Sequence, residues 1–201
     1  MRERDSKLAG IFNRYMWRYR LARSFKGIDA DEEMTARTIR GYSEGMRLFL
    51  AYTAYDEIRQ TEYRINRASY LIGHQIRSDI ELSTQIRALP ELREAIEISH
   101  AVNKPDLKTA ILAFYRHRNP NLMPIATAIR HMFAHGDMTV GSFGLTNEKK
   151  RQLIRKLSNL MLDKAEEISD KMLRQYIQEN WQNPKTHGKG GRAILKLNKA
   201  S

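Results

Sequence analysis

The chain contains no cysteine. That excludes a disulfide framework, a thiolate zinc site and a cysteine nucleophile, and a reducing, cytoplasmic compartment is the expectation. Apolar runs long enough to span a membrane are also missing, and the N-terminus is basic and aromatic where a secretory signal carries an apolar stretch. Neither membrane insertion nor export is therefore expected. The sequence shows no internal repeat and no alternating apolar–polar pattern of the kind strands require, which argues against an all-β fold. Acidic residues are comparatively few, 23 against 35 Lys and Arg.

What is present is the composition of a soluble globular domain, 41% hydrophobic and 29% charged over 201 residues. This length builds one domain with a sizeable core. The net charge of +12 is uneven: residues 1–26 carry +6, residues 182–201 carry +5, and everything between carries +1. The basic charge thus sits at the two ends, where it reads as arms for a polyanion or as a solubilising surface.

Turn residues and caps divide the chain into helical segments. Asp5 or Ser6 can cap a first helix with its apolar stripe at Leu8, Phe12, Tyr15, Tyr19 and Ala22, ended by Lys26-Gly27. Asp29 or Asp31 can open a second, whose inner face is Leu48, Ala51, Tyr52, Tyr55 and Ile58, with a kink or break possible at Gly41 and Gly45. A third helix is expected over about 68–87. Pro90 and Pro105 suit the first turns of two short helices, 90–102 and 105–117. Pro124 opens a helix ending near His135, and Thr146 can cap a long last helix to about Trp181. The inner face of that last helix reads Leu153, Leu157, Leu160, Met161, Ala165, Ile168, Met172, Leu173 and Tyr176. The expectation is an all-α bundle of about six to seven helices over residues 1–182. Residues 183–201, with Pro184, three glycines and scattered cations, read as a flexible basic tail.

The most informative stretch is Arg130-His131-Met132-Phe133-Ala134-His135-Gly136. Histidine exchanges a proton near neutral pH, and the planar arginine fork matches phosphate geometry. Side by side they are a minimal kit for cutting a phosphodiester without a metal. Gly136 suits the left-handed position after a helix, which puts both histidines in the final turn, where the dipole favours the imidazolium. On a straight helix His131 and His135 lie about 40° apart, but Arg130 and His135 lie about 140° apart. One phosphate can meet both if the arginine reaches around, if the helix ends before His135, or if a second subunit supplies half of the site. A metal reading of His131 and His135 lacks a third ligand, and position 132 is Met where zinc proteases of the His-Glu-x-x-His type carry Glu. No metal or cofactor is expected.

Arg130, the polar His131, and Ala134-His135-Gly136 resemble the signature of the HEPN superfamily, the higher eukaryote and prokaryote nucleotide-binding domain. The resemblance implies an all-α homodimer and RNA cleavage independent of metal, with Arg130 and His135 catalytic and His131 supporting them. It further implies a defence or toxin–antitoxin setting, with an antitoxin as a possible protein partner. RNA contacts would come from the basic ends, Arg14 and Arg18 on one side and Lys185, Lys189 and Arg192 on the other. The run from Phe12 to Arg20 mixes arginine with aromatics as nucleic-acid grooves do, although Phe12, Tyr15 and Tyr19 are equally explained by core packing. Trp17 lies off that stripe and points to an interface. The alternative function is a non-catalytic helical module that binds RNA or protein and retains the motif.

Overall fold

Residues 2–9 hold no helix breaker, and Arg, Glu, Lys and Leu all favour helix. In the computed structural model the first helix, α1, accordingly spans Arg2–Ser24 and runs through Asp5 and Ser6 instead of starting at them. The structure describes residues 2–29, 34–65, 71–72, 75–95, 97, 105–116, 127, 145 and 147–181. Phe12, Tyr15 and Ala22 of α1 are buried and Tyr19 packs partly against the core, as the stripe required.

Helix α2 spans Ala36–Ile65, about 45 Å of continuous helix. Its cap is Thr35, not Asp29 or Asp31: the Thr38 amide donates to Thr35 Oγ1 at 3.2 Å, satisfying one of the open donors of the first turn. Gly41 and Gly45 do not break it. Both are buried, and the packing on their face offsets the ~1 kcal/mol by which each glycine weakens a helix relative to alanine. The link from α1 turns at Gly27, whose φ of 144° lies where only glycine sits without strain. There Ser43 Oγ accepts from the Ile28 amide at 3.0 Å and donates to the Ile39 carbonyl at 2.8 Å, pinning the link to α2.

The expected third helix begins later than 68. Leu71–Ile72 and Gln75–Ile76 form a minimal antiparallel ladder, β1 and β2, with Leu71 opposite Ile76. Helix α3 follows as Arg77–Arg87. Leu71-Ile72 and Gln75-Ile76 flank only two residues, the first a glycine, which is a hairpin spacing that a helical reading overlooks. Pro90 opens a 3-10 turn, Pro90–Arg93, that buries Leu92. Helix α4 spans Pro105–Tyr115 and buries Ile111 and Phe114. The last helix, α5, spans Glu148–Trp181, about 51 Å. Its cap is Asn147, whose Oδ1 accepts from the Lys149 amide at 2.8 Å, and not Thr146.

Helices α2 and α5 form the central pair; α1 lies along α2 and touches α5, while α3 and the 3-10 turn pack on α5. The α5 stripe is buried as expected at Leu153, Leu157, Met161, Ala165, Ile168 and Met172, joined by Ile154 and Leu162. Polar locks cross the helices: Arg23 to Asp163 at 2.5 Å, Tyr19 to Glu166 at 2.6 Å, and Lys164 to Glu81. Five α-helices stand among the described residues, fewer than the six to seven expected. The motif helix expected near 124–135 and the tail from 183 lie outside them. Among the described residues no helix is long and apolar enough to cross a membrane.

Candidate functional site

Arg130, His131 and His135 fall outside the described residues, as do Lys185, Lys189 and Arg192. The described residues on either side mark the frame that carries the motif segment. It leaves α4 after Tyr115 and rejoins the core at Leu145, which is fully buried. Arg151, in the first turns of α5, donates from Nη1 to the Leu145 carbonyl at 2.9 Å and also pairs with Glu148. That guanidinium is therefore a structural anchor, buried and committed to protein.

Arg14 and Arg18 are on α1, and both reach the same carboxylate. Arg14 Nε donates to Glu57 Oε1 at 3.1 Å and Arg18 Nη1 to Glu57 Oε2 at 2.5 Å. The arginine side chains stay 57% and 43% exposed while Glu57 is 17% exposed. A polyanion approaching here meets two held guanidinium groups and one carboxylate, a weaker attraction than the sequence suggests. Arg23 is more fully committed. Burial works against its charge, but the hydrogen bonds it donates to Asp163 and Tyr19 raise its pKa above the ordinary value and keep it charged.

The helix sorts its aromatics cleanly. Burial, together with the nearby Tyr19 and Glu166, pushes the Tyr15 hydroxyl above its usual range, so it stays neutral in the core. Trp17 is 67% exposed and Leu21 54%. Asn13 and Arg20, three or four residues from Trp17, share its outward face and are exposed. An open indole beside a solvent-facing arginine offers a flat face for a base and a cation for its phosphate. Sequence reasoning named Arg14 and Arg18, which are exposed but held by Glu57; Arg20 is exposed too and lies beside Trp17.

A second feature was not foreseen. A cleft of about 460 Å³ opens where the α1–α2 link, α2 and α5 meet, with Lys26, Arg40, Glu44, Arg47, Arg155 and Asn159 among its walls. At its base Glu44, 5% exposed, receives both Arg155 Nε at 3.0 Å and Arg155 Nη2. Arg47 Nε lies 3.4 Å from the other Glu44 oxygen, and neither of those two atoms has a hydrogen-bond partner. The Arg47 guanidinium also sits 5.8 Å from the Phe25 ring centroid. The steps Arg40, Glu44 and Arg47 on α2 were readable as one helix face; Lys26 and Arg155 join them only through the fold.

Comparison with protein-family models, with curated proteins and with solved structures finds no match.

Proposed function

We propose that this chain is a metal-independent endoribonuclease of the HEPN type, working as a homodimer. The observation that carries the reading is the run Arg130-His131-Met132-Phe133-Ala134-His135-Gly136. It is supported by a frame that is helical almost throughout the described residues and by a long α5 that follows the motif. In this mechanism the 2′-oxygen of RNA attacks the adjacent phosphorus, the P–O2′ bond forms and the P–O5′ bond breaks. A 2′,3′-cyclic phosphate and a 5′-hydroxyl end result. His135 transfers the proton, His131 orients the site or supplies the complementary acid, and Arg130 neutralises the charge of the pentavalent phosphorane. The antitoxin or defence setting belongs to this reading as its biological context.

The test is incubation of the purified chain with mixed RNA in EDTA, followed by analysis of the product ends. Arg130→Ala and His135→Ala should each lower cleavage by about 10²-fold or more with helix content unchanged, and His131→Ala by less. Undiminished cleavage by the His135→Ala protein would sink the assignment. Activity that vanishes in EDTA and returns with Zn²⁺ would replace it with a metal mechanism.

A non-catalytic RNA-binding module is the second reading, and the exposed Trp17 beside Arg20 favours it. It predicts RNA binding that Trp17→Ala weakens, with no cleavage by the native chain.

A further inference from the structure

The cleft between the α1–α2 link, α2 and α5 is walled by four cations and one carboxylate. Among the described residues that line it one carboxylate faces four cations, a formal excess of three positive charges on a concave surface, with Glu148 beyond the lining also acting on Arg155. Concavity with charge of one sign focuses potential inward and concentrates anions. The hydrogen bonds leave donors open. Lys26 pairs with no carboxylate among the described residues. Arg40 donates from its Nε to the Ala36 carbonyl at 3.2 Å and pairs with no carboxylate among the described residues. Arg155 is half exposed although it grips Glu44. Arg47 keeps a buried Nε without a hydrogen-bond partner.

A structural clamp between α2 and α5 would need Glu44 and Arg155 alone. Lys26 and Arg40 add nothing to such a clamp, yet they line the same cleft from the link and from α2. The buried carboxylate instead acts as a post that holds Arg155 and Arg47 in place, so that less side-chain freedom is lost when an anion arrives. The size is that of an ordinary small-ligand site. A monovalent anion would leave most of the excess charge unmet, whereas two adjoining phosphate groups would meet it. Guanidinium forks suit their oxygens.

We infer that this cleft binds a ligand carrying two adjacent phosphate groups, held by Lys26, Arg40, Arg47 and Arg155. None of these residues belongs to the histidine motif, and the inference stands whether or not the chain cuts RNA. Inorganic pyrophosphate and a nucleoside diphosphate share this chemistry.

The test is calorimetric titration of the full chain at low ionic strength with pyrophosphate, ADP, AMP, inorganic phosphate and a single-stranded RNA oligonucleotide. Pyrophosphate and ADP should bind at one site per chain, and roughly tenfold or more tighter than phosphate and AMP respectively. The double variant Lys26→Ala/Arg40→Ala alters two exposed side chains and should keep its native melting temperature. It should weaken pyrophosphate by roughly tenfold or more, and Lys26→Glu should do the same. Arg20→Ala, exposed on α1 and absent from the walls of the cleft, should leave pyrophosphate binding unchanged. Equal affinities for ADP and pyrophosphate assign the site to the phosphates alone; tighter ADP adds a nucleoside contact. The inference is overturned if pyrophosphate does not bind, if the double variant binds it as the native chain does, or if Arg20→Ala weakens it as much. It is overturned equally if the double variant loses only RNA binding, which would make the cleft part of an RNA surface.

Discussion

At Gly27 the backbone takes a φ of 144°, and an added Cβ would come within 3.2 Å of Ser43 Oγ. Gly27→Ala should therefore cost about 1–3 kcal/mol, because the strained conformation and the crowded hydroxyl act together. Urea denaturation should show a lower midpoint with an unchanged slope; an unshifted midpoint would mean that the link simply rearranges. Ile58, with no exposed surface on the inner face of α2, supplies the opposite kind of test. Ile58→Ala should cost about 2–5 kcal/mol through lost burial and a cavity. Among the site residues, legibility followed locality. The histidine motif is visible because its members are five residues apart. The pairing of Arg14 and Arg18 with Glu57 was hidden, because α1 and α2 contribute it from positions about forty residues apart.

Helices α3 and α5 are joined by Lys164, a lysine whose side chain is only 5% exposed. Burial disfavours its charge, but the hydrogen bonds it donates to Glu81 and Glu167 prevail and hold its pKa above the ordinary 10.5. The sign follows from the raised value in the folded chain. The contribution is fully present below about pH 10.5 and is lost as pH climbs through the folded value. Lys164→Met should remain within about 1 kcal/mol of native at neutral pH, since the two glutamates it abandons are exposed and stay solvated. It should also lose less stability than the native protein between neutral and strongly alkaline pH. Equal alkaline losses in both proteins would show that the lysine titrates freely. The elements themselves were largely readable. The stripes of α1, α2 and α5 repeat at helical spacing over many turns, and that periodicity overrides local uncertainty. Their starts were less readable. Asp29, Asp31 and Thr35 are all good caps, and only the packed register of α2 selects Thr35. The start of α3 was missed because two residue pairs, Leu71-Ile72 and Gln75-Ile76, around a two-residue gap satisfy helix and hairpin equally over so short a run.

Across the whole molecule, eleven of the twelve net positive charges lie outside residues 27–181. Removing residues 183–201 deletes five cations and leaves every buried residue of the described helices in place. The truncated chain should melt as the full chain does. The slope of log RNA affinity against log salt should flatten by up to about 0.7 for each phosphate that the tail no longer neutralises. An unaltered slope would make the tail a solubiliser and leave RNA binding to α1. The proposed composite nuclease site also requires two subunits. Sedimentation should give a dimer at micromolar concentration, and an active monomer would contradict that site. The order of the central pair along the chain also bears on synthesis. Helix α2 ends at Ile65, yet the partner that covers it, α5, begins only at Glu148 and ends at Trp181. A ribosome takes on the order of ten seconds to make that interval. Throughout it the nascent chain shows an uncovered apolar face along α2, a surface for chaperones to hold or for a neighbouring chain to seize. Folding is therefore gated by the last helix, and truncation before α5 should yield an aggregating fragment instead of a smaller working domain.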